Sequence, residues 1–360
     1  MAVKVFHIIS HLAMGGAERV AINIATSGSA EAEYHVVEVL RGRDAVTDTL
    51  LAELHEAGVQ VHRSCIAHSK LGILLFPLRF LGLMLRHRAD VIHTHTEVPD
   101  LSLYLWYRLF GWIFPRTRYV RTIHNTELWT GWKRIGKRVE AFFQRKHANV
   151  AIGRGTAESY RRDYGASAPV IPNGVQELPQ TPFPGLVEGA RNILFAGRME
   201  PQKGIATLIR TVKQLAERKD IVFHIIGTGS LREEAERELG GLPTVRLYDR
   251  MPSLASRLGG VDYVFMPSEF EGLVLFSLES TLAGVPVLAN RCPGLEETLP
   301  PDWPLMAEEN DTDTYVRLLT APRSAEERAA LVARAQAYVR EHYSFAAMRA
   351  GYERLYLNRG

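Results

Sequence analysis

The chain is 360 residues long, too long for one ordinary domain and suited to two, and its 46% hydrophobic, 23% charged composition is that of a folded globular protein rather than a disordered or fibrous one. A formal charge of +3 and a pI near 8.8 are too mild to argue for nucleic acid, although they do not oppose an anionic substrate or membrane surface. Two cysteines, Cys65 and Cys292, lie far apart without metal-ligand spacing and read as free thiols in a reducing compartment.

The first strand-like run, 3–9, has no basic segment and cleavage site before it, which reads as a cytoplasmic protein without a signal peptide. Short β-branched runs follow at 34–40, 59–62, 91–93, 119–123 and 149–152. Helix-spaced segments lie between them at 17–27, 47–57, 73–87, 101–110 and 132–147. The stretch from Leu71 to Leu85 is interrupted by Pro77 and Arg79 and ends at Arg86-His87-Arg88. It falls short of the ~20 apolar residues that a membrane span needs, and reads as a buried or interfacial helix.

Between 176 and 190 the alternation stops. Pro179, Pro182, Pro184, Gly185 and Gly189 crowd a stretch with little to pack, the mark of a linker. Strand runs then resume at 193–196, 222–226, 245–248, 263–266 and 285–289, with helical segments at 205–218, 231–239 and 273–282. From Ser324 onward the pattern is two helices parted near Tyr343-Ser344. The fold class that this predicts is α/β: two Rossmann-like, doubly wound domains in series. Ligands of such sheets sit beyond the carboxyl ends of the strands, and two such faces turned toward each other form a cleft.

Four stretches at strand ends carry chemistry. Gly15-Gly16 follows the first strand and opens a helix, where free N–H groups meet an anion; a plain strand-to-helix turn explains the same residues, and the G-x-G-x-x-G fingerprint is absent. Gly197-Arg198 with Lys203-Gly204 repeats the arrangement in the second half and adds two cations that can bind phosphate, one as a fork and one as a point charge; a solvated basic loop explains a lone Arg or Lys, less readily two cations between glycines. Gly227-Thr228-Gly229 closes another strand and suits a backbone contact with a nucleotide. The run Pro267-Ser268-Glu269-Phe270-Glu271-Gly272-Leu273 leads to Glu279 and on to Gly284-Val285-Pro286-Val287. Glu271 in a loop and Glu279 about two turns into a helix are carboxylates placed to accept hydrogen bonds from vicinal hydroxyls. Dipole stabilisation explains Glu271 adequately, but not a charge inside the apolar run 273–282. His93 and His95 alternate at a strand end without a carboxylate or thiol at ligand spacing, so no metal site is expected. His93 is expected beneath the sheet and His95 toward the acceptor.

Together with His93-Thr94-His95, Thr122-Ile123-His124-Asn125 and Pro172-Asn173-Gly174-Val175, these residues resemble the retaining glycosyltransferases of family four, which have the glycosyltransferase B-fold. The resemblance covers nearly the whole chain. It implies an acceptor-binding domain over 1–178, a nucleotide-sugar domain over 191–343, and a last helix, 344–360, packing back on the first domain. Arg198 and Lys203 would hold the donor diphosphate, Glu279 its ribose and Glu271 its sugar hydroxyls. Gly16, Gly197, Gly229, Gly272, Leu273 and Val274 would supply close backbone contacts. His124 would lie near the transferred sugar, with His95 and Asn125 on the acceptor side. Val274 departs from the glycine of many relatives, which changes the clearance for the sugar, and Arg291-Cys292-Pro293-Gly294 replaces a more usual glycine-rich turn.

The function this implies is transfer, with retention and without a metal or other cofactor, of a hexose-type sugar from a UDP- or GDP-sugar to a glycan or lipid-linked saccharide. The expected setting is bacterial surface polysaccharide or lipopolysaccharide synthesis. The apolar and basic segments 71–88, 101–118 and 129–138 suggest a peripheral contact with an anionic membrane, on the inner face of the cytoplasmic membrane; helices packed on the sheet with solvated basic ends explain them too. A nucleotide-sugar epimerase and a non-catalytic nucleotide-sugar-binding subunit are the rivals.

Overall fold

The computed structural model describes residues 2–13, 15–27, 29–43 and 45–357, without the side chain of Ala45. Met14, at the head of the glycine-rich turn, and residues 358–360 of the expected last helix lie outside the described residues. The chain divides into two compact units, one holding residues through 173 and those from 346 on, the other 174–345.

The first unit is built on a parallel sheet of β1 (Val3–Ile9), β2 (Ala32–Glu38), β3 (Gln60–His62), β4 (Val91–His95), β5 (Arg118–Ile123) and β6 (Asn149–Ala151), in the order β3-β2-β1-β4-β5-β6. The helices are α1 (Gly16–Ala25), α2 (Ala45–Glu56), α3 (Ser69–His87), α4 (Glu97–Phe110), α5 (Lys133–Arg145) and α6 (Arg154–Tyr164). Successive strand residues face opposite sides, and the two faces differ. Phe6, Ile8, Val37 and Ile92 enter an apolar core with Phe80 and Trp106, whereas His7, His93 and His95 turn to the other side.

The second unit repeats the plan. Its strands are β7 (Arg191–Ala196), β8 (Ile221–Ile226), β9 (Val245–Tyr248), β10 (Tyr263–Met266), β11 (Val287–Asn290) and β12 (Met306–Ala307), in the order β12-β11-β10-β7-β8-β9 and all parallel. Around them lie α7 (Ile205–Gln214), α8 (Arg232–Leu239), α9 (Leu275–Leu282), α10 (Thr312–Thr320) and α11 (Ala325–His342). The final helix, α12 (Phe345–Leu357), is tied into the first unit: Tyr352 and Tyr356 are fully buried there and hydrogen-bond Thr122 and His93. In both sheets the strand order reverses beside the unit's first strand, the switch point at which doubly wound sheets hold ligands.

Several elements differ from the sequence reading for identifiable reasons. Helices α3 and α4 start four residues before the apolar spacing does, because their first turns are polar: the His68 side chain accepts from the Leu71 amide, and Glu97 and Asp100 stand in the first turn of α4. Helix α6 has no counterpart in the sequence pattern because RGTAESYRRDY offers almost no apolar periodicity; it buries Thr156, Ser159 and Tyr160. Helix α9 begins at Leu275 rather than 273, so Glu279 stands a little over one turn into it. The stretch 176–190 is no free linker. Phe183 is buried in the second unit's core, and its amide donates to the Gly259 carbonyl at 2.8 Å.

Candidate active site

At the carboxyl edge of the second sheet, the loops after β7, β8 and β10 are stitched together by backbone geometry. Gly227 has its Cα so close to the loop after β7 that a Cβ would stand 1.9 Å from the Gly197 carbonyl oxygen, and one on Gly229 would stand 2.5 Å from that of Met199. The Met199 amide donates to the Thr228 carbonyl at 2.9 Å, and Glu200 accepts from both the amide and the hydroxyl of Ser230. Gly204 has φ +68°, and a Cβ there would fall 1.7 Å from the Pro267 carbonyl oxygen, so only glycine permits this crossing.

That crossing sets the positions of the charged residues. The Glu269 amide donates to the Gln202 carbonyl at 2.8 Å, and Gln202 Nε2 donates to the Phe270 carbonyl at 3.0 Å. Lys203 Nζ then reaches Glu271 Oε1 at 2.5 Å, with both side chains largely buried. Arg198 is exposed and its Nη2 donates to Gln202 Oε1 at 3.3 Å. Beneath the 267–271 loop lies a buried amide chain. Asn290 Nδ2 donates to the Ser268 carbonyl and Asn310 Nδ2 to the Pro267 carbonyl, each at 2.9 Å. The Asn310 amide donates to Asn290 Oδ1, and the Tyr315 hydroxyl to Asn310 Oδ1 at 2.8 Å. Neither asparagine was singled out in the sequence; their signal is a polar residue at the end of an apolar strand and another just before a helix.

Gly272 and Leu273 are buried, and Val274, partly buried, caps α9 without a side-chain hydrogen bond. The first turn of α9 holds no acidic residue, so its amides and the helix dipole offer positive potential beside the Lys203–Glu271 pair. Glu279 is partly buried on the same helix. Cys292 is buried, and burial, reinforced by Glu271, Glu296 and Glu269, pushes its thiol up to about 12. It is therefore a protonated, unreactive packing residue.

In the first unit, Gly16 is the first residue of α1, and a Cβ there would meet nothing among the described residues within 4 Å. His124 follows β5, partly exposed, and Asn125 next to it is exposed. His124 Nε2 lies 3.2 Å from His95 Nδ1, and His95 Nε2 lies 3.1 Å from His7 Nδ1. His93 is held between the Tyr356 hydroxyl and the Thr122 hydroxyl, each at 2.7 Å. The expectation that His95 faces an acceptor is corrected: the side chain is 1% exposed and both ring nitrogens are engaged. The cause is strand periodicity, which puts His93 and His95 on one face with ring centroids 4.1 Å apart. His7 was not anticipated; a histidine inside the apolar run of the first strand was the signal.

Burial lowers all four imidazoles, His7 and His124 to about 3 and His93 and His95 well below their ordinary value, so they are neutral at neutral pH. His7, His93 and His95 bring one nitrogen each within 4.8 Å of one another, a grouping compatible with a metal ion. Of their six ring nitrogens, however, all but His7 Nε2 are committed to hydrogen bonds, so an ion would have to break at least two of them. The cluster reads as a hydrogen-bonded array.

Other proteins resemble this chain in sequence and fold. The model of Glycosyltransferase Family 4 matches residues 14–177, and that of Glycosyl transferases group 1 matches residues 190–335. The D-inositol 3-phosphate glycosyltransferase of Pseudarthrobacter chlorophenolicus is 28% identical over 59% of this chain, and the GDP-mannose-dependent monoacylated alpha-(1-6)-phosphatidylinositol monomannoside mannosyltransferase of Corynebacterium glutamicum is 29% identical over 46%. The matched regions span 57% and 46% of those relatives' own lengths. Among solved structures, HepE of Anabaena in complex with UDP-glucose has a TM-score of 0.78 at 17% identity, covering 99% of both chains. A glycosyltransferase from Rickettsia africae has a TM-score of 0.78 at 15% identity, covering 99% of this chain and 98% of that one. At such identities the structural likeness establishes the fold.

Proposed function

The chain belongs to the family-4 glycosyltransferases, with their B-fold of two Rossmann-like units, and from that premise we propose that it transfers a hexose from a UDP- or GDP-sugar to a glycan or lipid-linked saccharide, with retention at the anomeric carbon. The observation that carries this is the Lys203–Glu271 pair, held at the carboxyl edge of the second sheet beside Arg198 and the first turn of α9. In this reading Arg198 and Lys203 hold the donor diphosphate and stabilise the charge that develops on it as the glycosidic bond breaks. Glu279 binds the ribose and Glu271 the sugar hydroxyls. Gly16, Gly197, Gly229, Gly272, Leu273 and Val274 contribute backbone contacts, and His124 is assigned to the transferred sugar, with Asn125 on the acceptor side. The acceptor hydroxyl attacks from the face that the diphosphate leaves and passes its proton to a leaving-group oxygen. Two cations and helix amides then do the electrostatic work for which other transferases use a divalent ion, so no metal is required.

The relatives named for transfer to inositol phosphate and to a lipid-linked mannoside support a hydroxyl-bearing, lipid-associated or anionic acceptor. The first unit supports the same direction. On α3, Leu74 and Leu78 are 68% and 62% exposed on the face away from Phe76 and Phe80, and Trp112, in the turn after α4, is 78% exposed. From Ile66 to Arg88 there is no Asp or Glu, while Lys70, Arg86 and Arg88 are exposed. Trp106, by contrast, is fully buried and belongs to the core. No helix among the described residues is long and apolar enough to cross a membrane. This face therefore suits shallow docking on an anionic bilayer at the inner surface of the cytoplasmic membrane, and with it a place in surface polysaccharide or lipopolysaccharide synthesis.

The test is a thermal-shift series of UDP-, GDP- and ADP-sugars on the wild type and Glu279→Ala, followed by proton spectroscopy of the product anomer. One nucleotide class should stabilise the wild type, and less so the variant. The product should keep the donor's anomeric configuration; an inverted anomer rules out the retaining mechanism, and turnover of the sugar without any acceptor rules out transfer.

A further inference from the structure

Three histidines from three different strands or strand ends form one continuous string in the first unit: His7 on β1, His95 on β4 and His124 after β5. A neutral imidazole has one N–H donor and one bare acceptor nitrogen, so such a string has a direction. Only two arrangements satisfy both contacts. In one, His7 Nδ1–H donates to His95 Nε2, and His95 Nδ1–H donates to His124 Nε2. In the other, both bonds run the opposite way. The end of the string decides between them. His7 Nε2 is buried and has no hydrogen-bond partner among the described residues. In the second arrangement it carries a proton, an orphaned buried N–H of a kind that folded proteins almost never keep; in the first it is only an unfilled acceptor, which is tolerated more often.

We propose that His7 and His95 are positioning residues that impose one tautomer on His124, with its proton on Nδ1, so that His124 offers its ligand an N–H donor and not a basic lone pair. The string starts at the bare Nε2 of His7 and ends at the partly exposed ring of His124, whose Nε2 is already committed to His95. The low proton affinity of all three rings keeps the string neutral, which is the condition for its directionality. A fixed N–H suits a sugar hydroxyl or ring oxygen, and excludes His124 as the general base of the transfer. This assignment rests on the proposed role of His124 at the transferred sugar; the tautomer itself does not.

The experiment is a two-bond proton–nitrogen correlation spectrum of the full chain with nitrogen-labelled histidine, near neutral pH and without added nucleotide sugar. Signals are assigned by their loss in His7→Gln, His95→Asn and His124→Gln. His7, His95 and His124 should each show a protonated Nδ1 and a bare Nε2. A protonated Nε2 on His124 in the wild type overturns the proposal. In His95→Phe the string is cut, and His124 should shift toward the Nε2–H tautomer that unconstrained imidazoles favour, with kcat falling roughly tenfold and the donor KM little changed. His95→Asn places an amide N–H near the position of Nδ1–H and should restore both the tautomer and most of kcat. An unchanged His124 tautomer in a folded His95→Phe also overturns it, and if that variant does not fold, the wild-type spectrum still decides. A protein that transfers no sugar would refute the proposed function while leaving the tautomer reading to stand or fall by its own spectrum.

Discussion

Lys203 Nζ and Glu271 Oε1 lie 2.5 Å apart, joining the loop after β7 to the loop after β10. The lysine proposed to hold the diphosphate and the carboxylate proposed to hold sugar hydroxyls are thereby bound into one unit, and their substitutions should not act independently. Lys203→Met and Glu271→Gln should each lower kcat/KM by about a hundredfold, and the double variant should lose far less than the product of the two. A coupling of roughly 1–3 kcal/mol is expected from a thermodynamic cycle of kcat/KM values, and additive losses would separate the two roles.

Gly204 should tolerate no side chain. Its φ is +68°, and a methyl group on its Cα would stand 1.7 Å from the Pro267 oxygen, so Gly204→Ala must push the two loops apart. Strain of this kind costs on the order of 1–3 kcal/mol. The expected result is a lower unfolding midpoint together with loss of donor binding by thermal shift; Gly16→Ala, whose Cβ meets nothing among the described residues within 4 Å, should leave the midpoint nearly unchanged.

Asn310→Ala should weaken the loop from below. It removes the donor to the Pro267 carbonyl and leaves the Tyr315 hydroxyl, buried, without its acceptor. Each buried group left unsatisfied costs about 1–3 kcal/mol, so chemical denaturation should show that scale of loss, and transfer should slow although Asn310 is buried beneath the loop.

Acid should unfold the first unit before the second. His7 and His124 are lowered to about 3 and His62 to about 4, chiefly by burial, and His93 and His95 are lowered as well. The unfolded chain, with ordinary histidines near 6.5, binds more protons than the folded one between about pH 3 and 6.5, so stability rises with pH across that window and is lost as pH falls through it. Each such histidine contributes roughly 1.4 kcal/mol per pH unit. The second unit has His224, lowered to about 4, as its comparable group among the described residues. Four of the five tryptophans, Trp106, Trp112, Trp129 and Trp132, lie in the first unit, so their fluorescence during denaturation at pH 7 and pH 5 should report a steep drop.

Membrane docking should depend on α3. Leu74→Asp with Leu78→Asp removes two exposed side chains whose burial in a lipid interface contributes about 1.5–3 kcal/mol each, without touching the core. Flotation with vesicles of phosphatidylglycerol should fall by more than tenfold for the variant, and the wild type should float less with neutral vesicles. Equal flotation with neutral and anionic vesicles would remove the electrostatic part of the reading.

What the residues themselves decided is the local layer of the structure. Short β-branched runs alternating with amphipathic segments specify parallel strands and covering helices, because a strand buried on both faces must be apolar along its length and a covering helix must be apolar along one stripe. Glycines at strand ends marked where backbones approach closely, and the charged residues between them marked the proposed donor site. That signal is missing at α6, whose sequence is polar, and at Phe183, whose neighbouring prolines and glycines resemble a linker although the chain packs there. Tertiary structure alone decided the partners. Lys203 and Glu271 are 68 residues apart, and His7 and His95 are 88 apart; no periodicity relates them. They meet because strands distant in sequence are neighbours in a doubly wound sheet, and that order is set by how the helices cover both faces at once. The same global packing determines which side of α3 faces outward, which helical spacing leaves open, since it yields an apolar stripe without saying what the stripe touches.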